Sequence, residues 1–597
     1  MEKKENIFEK YFDKILTFFL SNDSRKWLVL IIILGFILRF IVASNGYNLA
    51  DEFIHGTHAI NFIEKGSISH MTQCPLWFYL TSIFYSIFGV HQITMRMMSL
   101  LFGTFSIIPL YLLTKLLFNK RVALLASFLL AISPFVIRYT LSYMDQSMIF
   151  FILFAIYLFI KKFKEEERIS LLAAVMLGLA ALIKIIAANF IFVFGIFMLI
   201  ICIKKYKADK KWINDNFPSI LLFILIVFLL FSPVFTYNYL LYKDKGVVDL
   251  PFAMYFDINK DFYQGPGLAH ETGFSAERGF LNASGMFKSF LELSPITFIL
   301  FFFGLFLTFK SKSENKKYII FLLALFLTHY LVLIFAIGLQ THYSVFITLF
   351  SMFGAVGLMQ IKKDCFKKFK SKKTLPILLL IFLCLNLFIL SPFLFSTNGI
   401  SKMRGYAMDN IDKSSLVVVD TRIYRGGIAW TFNDYHYIES SYFPDILMMN
   451  ENSSSQKTLT KLYFIECATD DCGWGTITKG GLNDSSEALV DLFSAQANLD
   501  KTFYGGGGDA ENKPYFKIYS TEIMLDLELL EIVDSTHEWF FYPVRYEMKD
   551  KIYDKYEIHT NFDNFLNNLA FIIIYLSIFL ALFSIVILVY YLVKDIK

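Results

Sequence analysis

Charge is scarce in this chain. Only 18% of its 597 residues are Asp, Glu, Lys or Arg, which is too few to cover the surface of a soluble protein of this length. In contrast, 56% of the residues are hydrophobic, 68 residues are phenylalanine, and the mean hydropathy is +0.52. These values exclude an ordinary soluble protein and indicate an integral membrane protein with several spans.

The chain also lacks the features of a cleavable signal sequence. Its first stretch, residues 1–25, is polar and rich in Lys and Glu. A signal peptide instead carries a short apolar core followed by a small-residue cleavage site. We expect this stretch to be a cytoplasmic tail.

Cysteines are few, and their spacing lacks the second ligand pair that a structural zinc site requires. Cys467 and Cys472 lie close together in the stretch ECATDDCGWG. This arrangement favours a disulfide between them in an external domain, and two free thiols are the alternative.

Long apolar runs divided by short lysine-rich breaks fill most of the chain. Because ~20 consecutive apolar residues cross the hydrocarbon layer, we expect about 12 spans. The runs cover residues 27–44, 95–118, 122–137, 148–160, 169–183, 185–203, 218–236, 295–309, 318–339, 344–361, 375–395 and 569–593.

One further apolar run, residues 75–90, decides the orientation of every later span. Lys and Arg near the ends of spans are retained on the cytoplasmic side. If residues 75–90 lie on the outer surface as an interfacial helix, all the basic breaks fall inside, and if they cross, all fall outside. We therefore predict that they do not cross. The basic breaks are residues 119–121, 161–168, 204–211, 310–317 and 362–373.

This topology divides the chain into a multi-span domain at residues 1–395, an external soluble domain at 396–568, and a final span with a short cytoplasmic tail at 569–597. In the external domain, SSLVVVDTRIY is typical of a turn followed by a buried strand, and KTFYGGGGDAENKPYFKIYS of two strands joined by a loop. The predicted fold is a polytopic α-helical membrane protein with juxtamembrane helices and an external α/β or α+β domain before the last span.

Several aromatic residues of the external domain could contact a ligand. They are Trp430, Tyr435, Tyr437 and Tyr442, whose rings could stack on it. Packing in the core of the domain is the more frequent fate of such rings.

Two adjacent carboxylates follow the first span in the stretch NLADEFIHGTHAINFIEKG. Ala59, Phe62 and Ile63 repeat at helical spacing, which predicts that Asp51 and Glu52 stand in the first turn of a short helix on the outer surface. Helix capping alone could explain acidic residues at this position. A function for them therefore needs further support.

Two histidines follow these carboxylates one helical turn apart. His55 and His58 could hold a metal ion together with Asp51. The spacing is loose for a metal site, so polar side chains at the membrane interface are the favoured interpretation.

The stretch DEFIHGTHAINFIEKG, followed by CPLWFYLTSIFYSIFGV and MRMMSLLFGTFSIIPLYLLTKLLF, resembles the first external loop and second span of the GT-C superfamily of polyprenyl-phosphate-sugar-dependent glycosyltransferases. The likeness is greatest to its protein mannosyltransferase and aminoarabinose transferase branch, glycosyltransferase family 39. Cys74 stands where that branch has the first proline of a Pro-Pro-Leu motif. The matching positions are Asp51, Glu52, Ala59, Gly66, Pro75, Leu76 and Tyr79.

The resemblance continues through SPFVIRYTLSYMDQSMIFFILFAIYLF and LGLAALIKIIA, where Pro134, Asp145 and Lys184 match. It implies that Lys184, at an external junction between two spans, binds the donor phosphate and that Asp145 orients the lysine or the acceptor. Thr140 replaces the usual arginine of the family, and Arg138 nearby is the substitute candidate for phosphate binding. The alternative for Lys184 is a lysine that snorkels at the end of a span, and the alternative for Asp145 is an ordinary loop carboxylate.

The same resemblance implies separate roles for Asp51 and the residues around it. Asp51 would be the catalytic base, assisted by Glu52, while His55 and His270 would help to orient the substrates. A divalent metal held by Glu52, His270 and Glu271 is left open as a cofactor.

The resulting prediction is a glycosyltransferase that moves a monosaccharide from a polyprenyl- or dolichyl-phosphate donor to a protein, glycan or lipid acceptor on the non-cytoplasmic face. The expected partners are the lipid-linked sugar, membrane lipid and the acceptor, with no nucleic acid. The expected location is the cell membrane, with the soluble domain outside. One alternative is a polyprenyl-lipid transporter or flippase, and another is an oligosaccharyltransferase-like enzyme, although the Trp-Trp-Asp-Tyr-Gly motif of those enzymes is absent from the sequence.

Overall fold

The computed structural model describes residues 23–45, 50–65, 74–141, 143–249, 252–253, 256, 258, 276–311, 314–335, 340–369, 374–394, 399–423, 425–468, 489, 491–493, 495–504, 514–535 and 556–596. Within these residues the protein is a bundle of apolar helices that carries one five-stranded sheet. The predicted fold class is confirmed.

The membrane part consists of helices and two short 3-10 turns, at Ile185–Ala187 and Gln340–Tyr343. Its helices are α1 Asp23–Asn45, α2 Ala50–Lys65, α3 Leu76–Phe88, α4 Gln92–Phe105, α5 Ile107–Leu117, α6 Lys120–Ala131, α7 Pro134–Arg138, α8 Met144–Glu166, α9 Leu171–Ile183, α10 Ala188–Ala208, α11 Lys210–Lys245, α12 Ala276–Leu293, α13 Pro295–Lys310, α14 Lys316–Phe335, α15 Ser344–Phe369, α16 Thr374–Leu394 and, after the sheet, the last helix Asn561–Ile596.

Fewer helices than the predicted 12 or so runs are long enough to span a bilayer. The described residues contain nine such helices, or ten if α12 and α13, which are bent by 109°, form one broken span. The difference arises where predicted runs form shorter helices. Helix α9 has only 13 residues, and the run 122–137 is interrupted before Pro134, which begins α7.

The run that decides the topology forms helix α3, which has 13 residues and ends at Gly89 with φ 78°. Glycine adopts this left-handed conformation without a steric penalty, and it commonly closes helices. A helix of this length is ~20 Å long, whereas the hydrocarbon layer is ~30 Å thick. The length of α3 is therefore compatible with the predicted juxtamembrane helix.

Helix α8 forms the centre of the bundle, since 94% of its most apolar stretch is buried inside the protein. The corresponding share for the peripheral helix α16 is 11%. Helices α13 and α15 approach one another especially closely. A Cβ atom added to Gly304 of α13 would collide with the carbonyl group of Phe353 on α15. Small residues allow such close contact between membrane helices, which is held by packing rather than by exclusion of water.

The sheet lies between α16 and the last helix in the chain and has the strand order β2-β1-β3-β5-β4. Strand β1 pairs in parallel with β2 and β3, while β5 runs antiparallel to β3 and β4. The predicted buried strand and the predicted strand pair on either side of the glycine-rich stretch are confirmed. The elements are α17 Gly399–Asn410, β1 Leu416–Val419, α18 Arg425–Thr431, β2 His436–Glu439, α19 Phe443–Asn452, β3 Lys457–Cys467, β4 Asn498–Tyr504, β5 Pro514–Asp526 and α20 Glu528–Ser535, which makes the last helix α21.

The sheet domain packs on α2 in a shared buried cluster that includes Trp430. Trp430 of α18 is fully buried, its ring centroid lies 5.4 Å from that of Phe53, and its indole N–H donates to the Tyr85 hydroxyl at 3.3 Å. A Cβ atom on Gly56 would lie 2.9 Å from the Trp430 ring, so only glycine permits this approach. Trp430, like its neighbours Tyr435 and Tyr437, is therefore a core residue rather than an open surface for a sugar.

The predicted orientation can be tested with introduced cysteines. Ser454 is exposed in the sheet domain and Ser311 is exposed in one of the basic breaks. Because basic breaks stay inside, a membrane-impermeant maleimide applied to intact cells should label Ser454→Cys and not Ser311→Cys. Permeabilised cells, in which both sites should react, and the parent chain provide the controls. The reverse labelling pattern would contradict the topology.

Candidate active site

Helix α2 begins as the sequence predicts, with Asp51 and Glu52 in its first turn. The structure describes the backbone of Asp51, and its side chain lies outside the described groups. Glu52 is completely buried. The contacts of the Glu52 side chain therefore show what fixes the first turn of this helix in place.

Both carboxylate oxygens of Glu52 are bound by Arg96 of α4. The Nε of Arg96 donates to Oε1 at 2.9 Å, and its Nη2 donates to Oε2 at 2.7 Å. Its Nη1 donates to the carbonyl oxygen of Ala43 at 2.8 Å, near the end of α1. A bidentate, charge-assisted pair of this kind fixes both distance and orientation. Arg96 thus joins the first turn of α2 to α1 and α4.

The two histidines of α2 lie among aromatic rings. His55 is 5.7 Å from Trp77 and 6.1 Å from Tyr143, and His58 is 5.5 Å from Phe78, measured between ring centroids. Burial, together with the neighbouring His55, lowers the pKa of His58 to about 3. His58 is therefore neutral at physiological pH.

A second charged cluster forms around Lys184, where α9 ends and the chain becomes extended, with φ −151° and ψ 124°. The ammonium of Lys184 donates to Oδ2 of Asp145 at 2.7 Å and lies 3.1 Å from Nδ1 of His342. The same Nδ1 lies 3.1 Å from Oδ1 of Asp145, so the imidazole tautomer decides which contact it makes. All three side chains are buried.

The cluster leaves part of Lys184 available to a ligand. An ammonium group has three hydrogen-bond donors, and Lys184 uses two at most within the described structure, for Asp145 and His342. His342, in the 3-10 turn before α15, was not among the predicted site residues. Its signal in the sequence is the polar stretch QTHYS between two apolar runs.

The two charged clusters are connected through residues at the start of α8. His55 of α2 packs on Tyr143, which precedes α8 by one residue, and Asp145 stands in the first turn of that helix. The Tyr143 carbonyl accepts a hydrogen bond from Ser99 of α4 at 2.7 Å. The Asp51 helix and the Lys184 turn therefore converge at one end of the bundle.

Two further acidic groups adjoin the Lys184 turn, and neither was predicted from the sequence. The sulfur of Cys74 accepts a hydrogen bond from the backbone of Ile185, and burial, followed by the charge of Asp249, raises the pKa of this thiol. Burial also raises the pKa of Asp249 to about 7, although its carboxylate accepts from Phe252 N–H at 2.8 Å and from Asn238 at 3.0 Å. At neutral pH the Asp249 carboxyl is therefore partly protonated.

The remaining predicted site residues lie elsewhere or outside the described residues. The guanidinium of Arg138 stacks over the ring of Phe393 at 4.5 Å and is not a hydrogen-bond partner of Lys184 or Asp145. His270 and Glu271 fall outside the described residues. Their predicted roles therefore stay predictions.

The structure describes one of the two cysteines of the predicted disulfide. Cys467 is disulfide-bonded. Its predicted partner, Cys472, falls outside the described residues, so the pairing itself stays a prediction.

One set of side chains in the described structure is arranged so that it could hold a metal ion. It consists of Asp244, Glu557 and His559, whose ligand atoms lie within 4.8 Å of one another. The set joins the end of α11 to the segment before α21, and it includes none of the predicted metal ligands. Lys243 and Asp563 form an ion pair of 2.7 Å between the same two helices.

Comparisons with known proteins agree with this architecture. A family model for dolichyl-phosphate-mannose-protein mannosyltransferases matches residues 72–237. An uncharacterized protein of Aquifex aeolicus is 24% identical over 232 residues, which represent 37% of this chain and 45% of that protein. The match therefore spans less than half the length of this relative.

Two solved structures are similar to this chain at low sequence identity, and the first of them shares its fold. ArnT from Cupriavidus metallidurans, bound to undecaprenyl phosphate, superposes with a TM-score of 0.50 at 10% identity and covers 83% of this chain and 98% of its own. The oligosaccharyltransferase from Archaeoglobus fulgidus in the apo form gives a TM-score of 0.45 at 14% identity, with coverages of 83% and 75%.

The family match covers less than a third of the chain, and the likeness to ArnT at 10% identity shows a shared fold. Both findings agree with the resemblance to the GT-C superfamily that the first external loop and second span carry. The family match begins at residue 72, so Asp51 and Glu52 lie outside it.

The Glu52–Arg96 pair yields a stability prediction. Glu52→Gln removes a charge without changing size, so the buried Arg96 guanidinium loses its charge-assisted pair with the Glu52 carboxylate. Removing one partner of a buried pair lowers the free energy of unfolding by about 3–5 kcal/mol, so we expect a clear fall in the unfolding temperature of the purified protein. Glu451→Gln, at an exposed position on α19, is the matched control. Equal unfolding temperatures for the two variants would show that the pair is not stabilising.

Proposed function

We propose that this protein transfers a monosaccharide from a polyprenyl- or dolichyl-phosphate donor to an acceptor hydroxyl on the non-cytoplasmic face of the membrane. The acceptor belongs to a protein, a glycan or a lipid. Two comparisons support a lipid-linked donor, since the family model describes dolichyl-phosphate-mannose-dependent enzymes and ArnT is bound to undecaprenyl phosphate. The convergence of the Asp51 helix with the Lys184 turn supports this function most directly.

The reaction needs a base but no acid. The leaving group is a phosphate, which departs as an anion without being protonated, unlike the leaving group of glycosidases. The Asp51 carboxylate accepts the proton of the acceptor hydroxyl while that oxygen forms a bond to the anomeric carbon. The bond between this carbon and the phosphate oxygen breaks on the opposite face, and the sugar configuration inverts. Because an Asp of ordinary pKa ~3.9 is a weak base, accurate positioning supplies much of the rate.

Glu52 has a positioning role in this mechanism. Its two oxygens hold Arg96, which also binds the end of α1, and this arrangement fixes the first turn of α2 where Asp51 stands. His55 supports the same turn by packing on Tyr143. The mechanism uses no metal ion, and assays with a chelator test the divalent cofactor that was left open.

Lys184 stabilises the departing phosphate. Its remaining donor can bind a phosphate oxygen, and its charge offsets the negative charge that grows on the leaving group. Asp145 and His342 hold the ammonium in one place, so the protein need not reorganise during the reaction.

Asp51→Asn tests the catalytic base. Asn keeps the size and the capping ability of Asp but cannot accept the hydroxyl proton, so turnover should fall by ~10²-fold or more while folding and donor binding survive. Sugar transfer by the purified variant is measured with a radiolabelled lipid-linked donor, and its unfolding temperature is compared with that of the parent. Normal turnover by a well-folded Asp51→Asn variant would remove this residue from the mechanism.

Lys184 is tested through the affinity for the donor. Lys184→Ala should raise the donor concentration at half-saturation by about tenfold or more, because a hydrogen bond to a charged group is lost, and Lys184→Arg should raise it less. Since Lys184→Ala leaves Asp145 buried without its partner, the double variant Lys184→Met with Asp145→Asn removes both charges together. Lys161→Ala, at a buried lysine in the same helix as Asp145, is the matched control. Unchanged donor saturation in the double variant would leave Lys184 as a structural residue.

A further inference from the structure

A cavity of about 520 Å³ opens at the end of the bundle away from the Lys184 turn. It lies between the start of α6, the last turn of α13 and the later turns of α15. His342 precedes α15, and Lys362 of the cavity lies twenty residues further along the chain. At a rise of ~1.5 Å per residue the two positions are ~30 Å apart, which is the thickness of the hydrocarbon layer.

The rim of this cavity is positively charged. Arg121, Lys362 and Lys363 line it, and none of the described residues that line it is acidic. None of these three cations has an ion pair or a side-chain hydrogen bond within the described residues. The nearest acid in the chain, Asp364, accepts two hydrogen bonds from Gln360 at 3.0 Å. Even with the charge of Asp364 beside Gln360, the cations at the cavity outnumber the nearby acid by three to one, so the cavity favours an anionic ligand.

The walls of the cavity are apolar and continuous with the lipid-facing surface. Leu307, Val356 and Met359 line it below the cations. Phe306 and Phe309, on either side of Leu307 in α13, have 63% and 44% of their surface exposed, as expected of side chains that face lipid. A ligand that carries a charged head and apolar chains fits this combination better than a soluble anion does.

The opening itself follows from helix packing. Helices α13 and α15 touch at Gly304 and Phe353, and Leu307 lies one turn further along α13. Crossed helices separate on either side of their point of contact, so the space between α13 and α15 widens towards this end of the bundle. The first turn of α6 closes the third side and supplies Arg121.

We propose that this cavity binds the phosphate headgroup of an anionic membrane phospholipid, whose acyl chains lie along the exposed face of α13. Basic pockets between transmembrane helices on the cytoplasmic side bind such headgroups in other membrane proteins. The site is distinct from the Lys184 turn and does not depend on the sugar-transfer mechanism.

The test measures lipid binding to the purified full-length protein by native mass spectrometry in a neutral detergent. Phosphatidylglycerol and phosphatidylcholine with the same acyl chains are titrated separately, and inorganic phosphate and a polyprenyl phosphate are added as competitors. The parent protein should bind phosphatidylglycerol at least about tenfold more tightly than phosphatidylcholine. It should retain the bound lipid in the presence of either competitor.

A pair of triple variants separates a defined site from diffuse attraction. Arg121→Gln with Lys362→Gln and Lys363→Gln should reduce the affinity for phosphatidylglycerol by about fivefold for each charge removed. Lys310→Gln with Lys316→Gln and Lys317→Gln removes the same charge from the same end of the bundle without touching the cavity, and should keep the parent affinity.

Four results would overturn the proposal. Equal losses in the two triple variants would indicate general electrostatic attraction, and equal binding of the two lipids would remove the headgroup preference. Displacement of the lipid by inorganic phosphate would identify a site for a free anion. Displacement by polyprenyl phosphate in preference to phosphatidylglycerol would assign the cavity to the lipid product of sugar transfer instead.

Discussion

The buried pair between Glu52 and Arg96 is the interaction on which the rest of the site depends. Two charges removed from water are stable only if each is fully hydrogen-bonded, and here one guanidinium binds both carboxylate oxygens and the carbonyl of Ala43. The last carbonyls of a helix have no partner within the helix, so Arg96 satisfies the Ala43 carbonyl near the end of α1 while it holds the Glu52 side chain at the start of α2. A single side chain thereby determines where the chain leaves the first span and where the Asp51 helix begins.

The Lys184 cluster likewise pairs buried charges at the ends of helices that come later in the chain. An ionisable group in a membrane domain is tolerated where it lies at the end of a span and has a partner. Asp145 begins α8, Lys184 follows α9, and His342 precedes α15, so one cluster connects three helix ends that are distant in the chain. A ligand that took up one of these contacts would act on all three helices. Binding at Lys184 and the arrangement of these three helix ends are therefore linked.

Much of this arrangement can be predicted from local patterns in the sequence. Helical spacing after Asp51 predicts the start of α2, and the separate apolar runs 169–183 and 185–203 predict the break at Lys184. The partners of these residues carry no such signal. Arg96 lies 44 residues beyond Glu52, within a largely apolar stretch, and only the packing of α4 against α2 brings the two side chains together. His342 and Asp249 were missed for the same reason, because burial and distant neighbours give them their roles.

The contact between Gly56 and Trp430 has a consequence for biosynthesis. Translation completes α2 long before the sheet domain emerges, because the two lie on opposite sides of most of the membrane helices in the chain. Until Trp430 covers it, the surface of α2 around Gly56 and Phe53 has no partner from the sheet domain. The Asp51 helix thus reaches its final environment only after the chain has been made as far as Trp430. A truncated product could insert its first spans and still lack this contact, which ties the completion of the surroundings of α2 to the synthesis of the sheet domain.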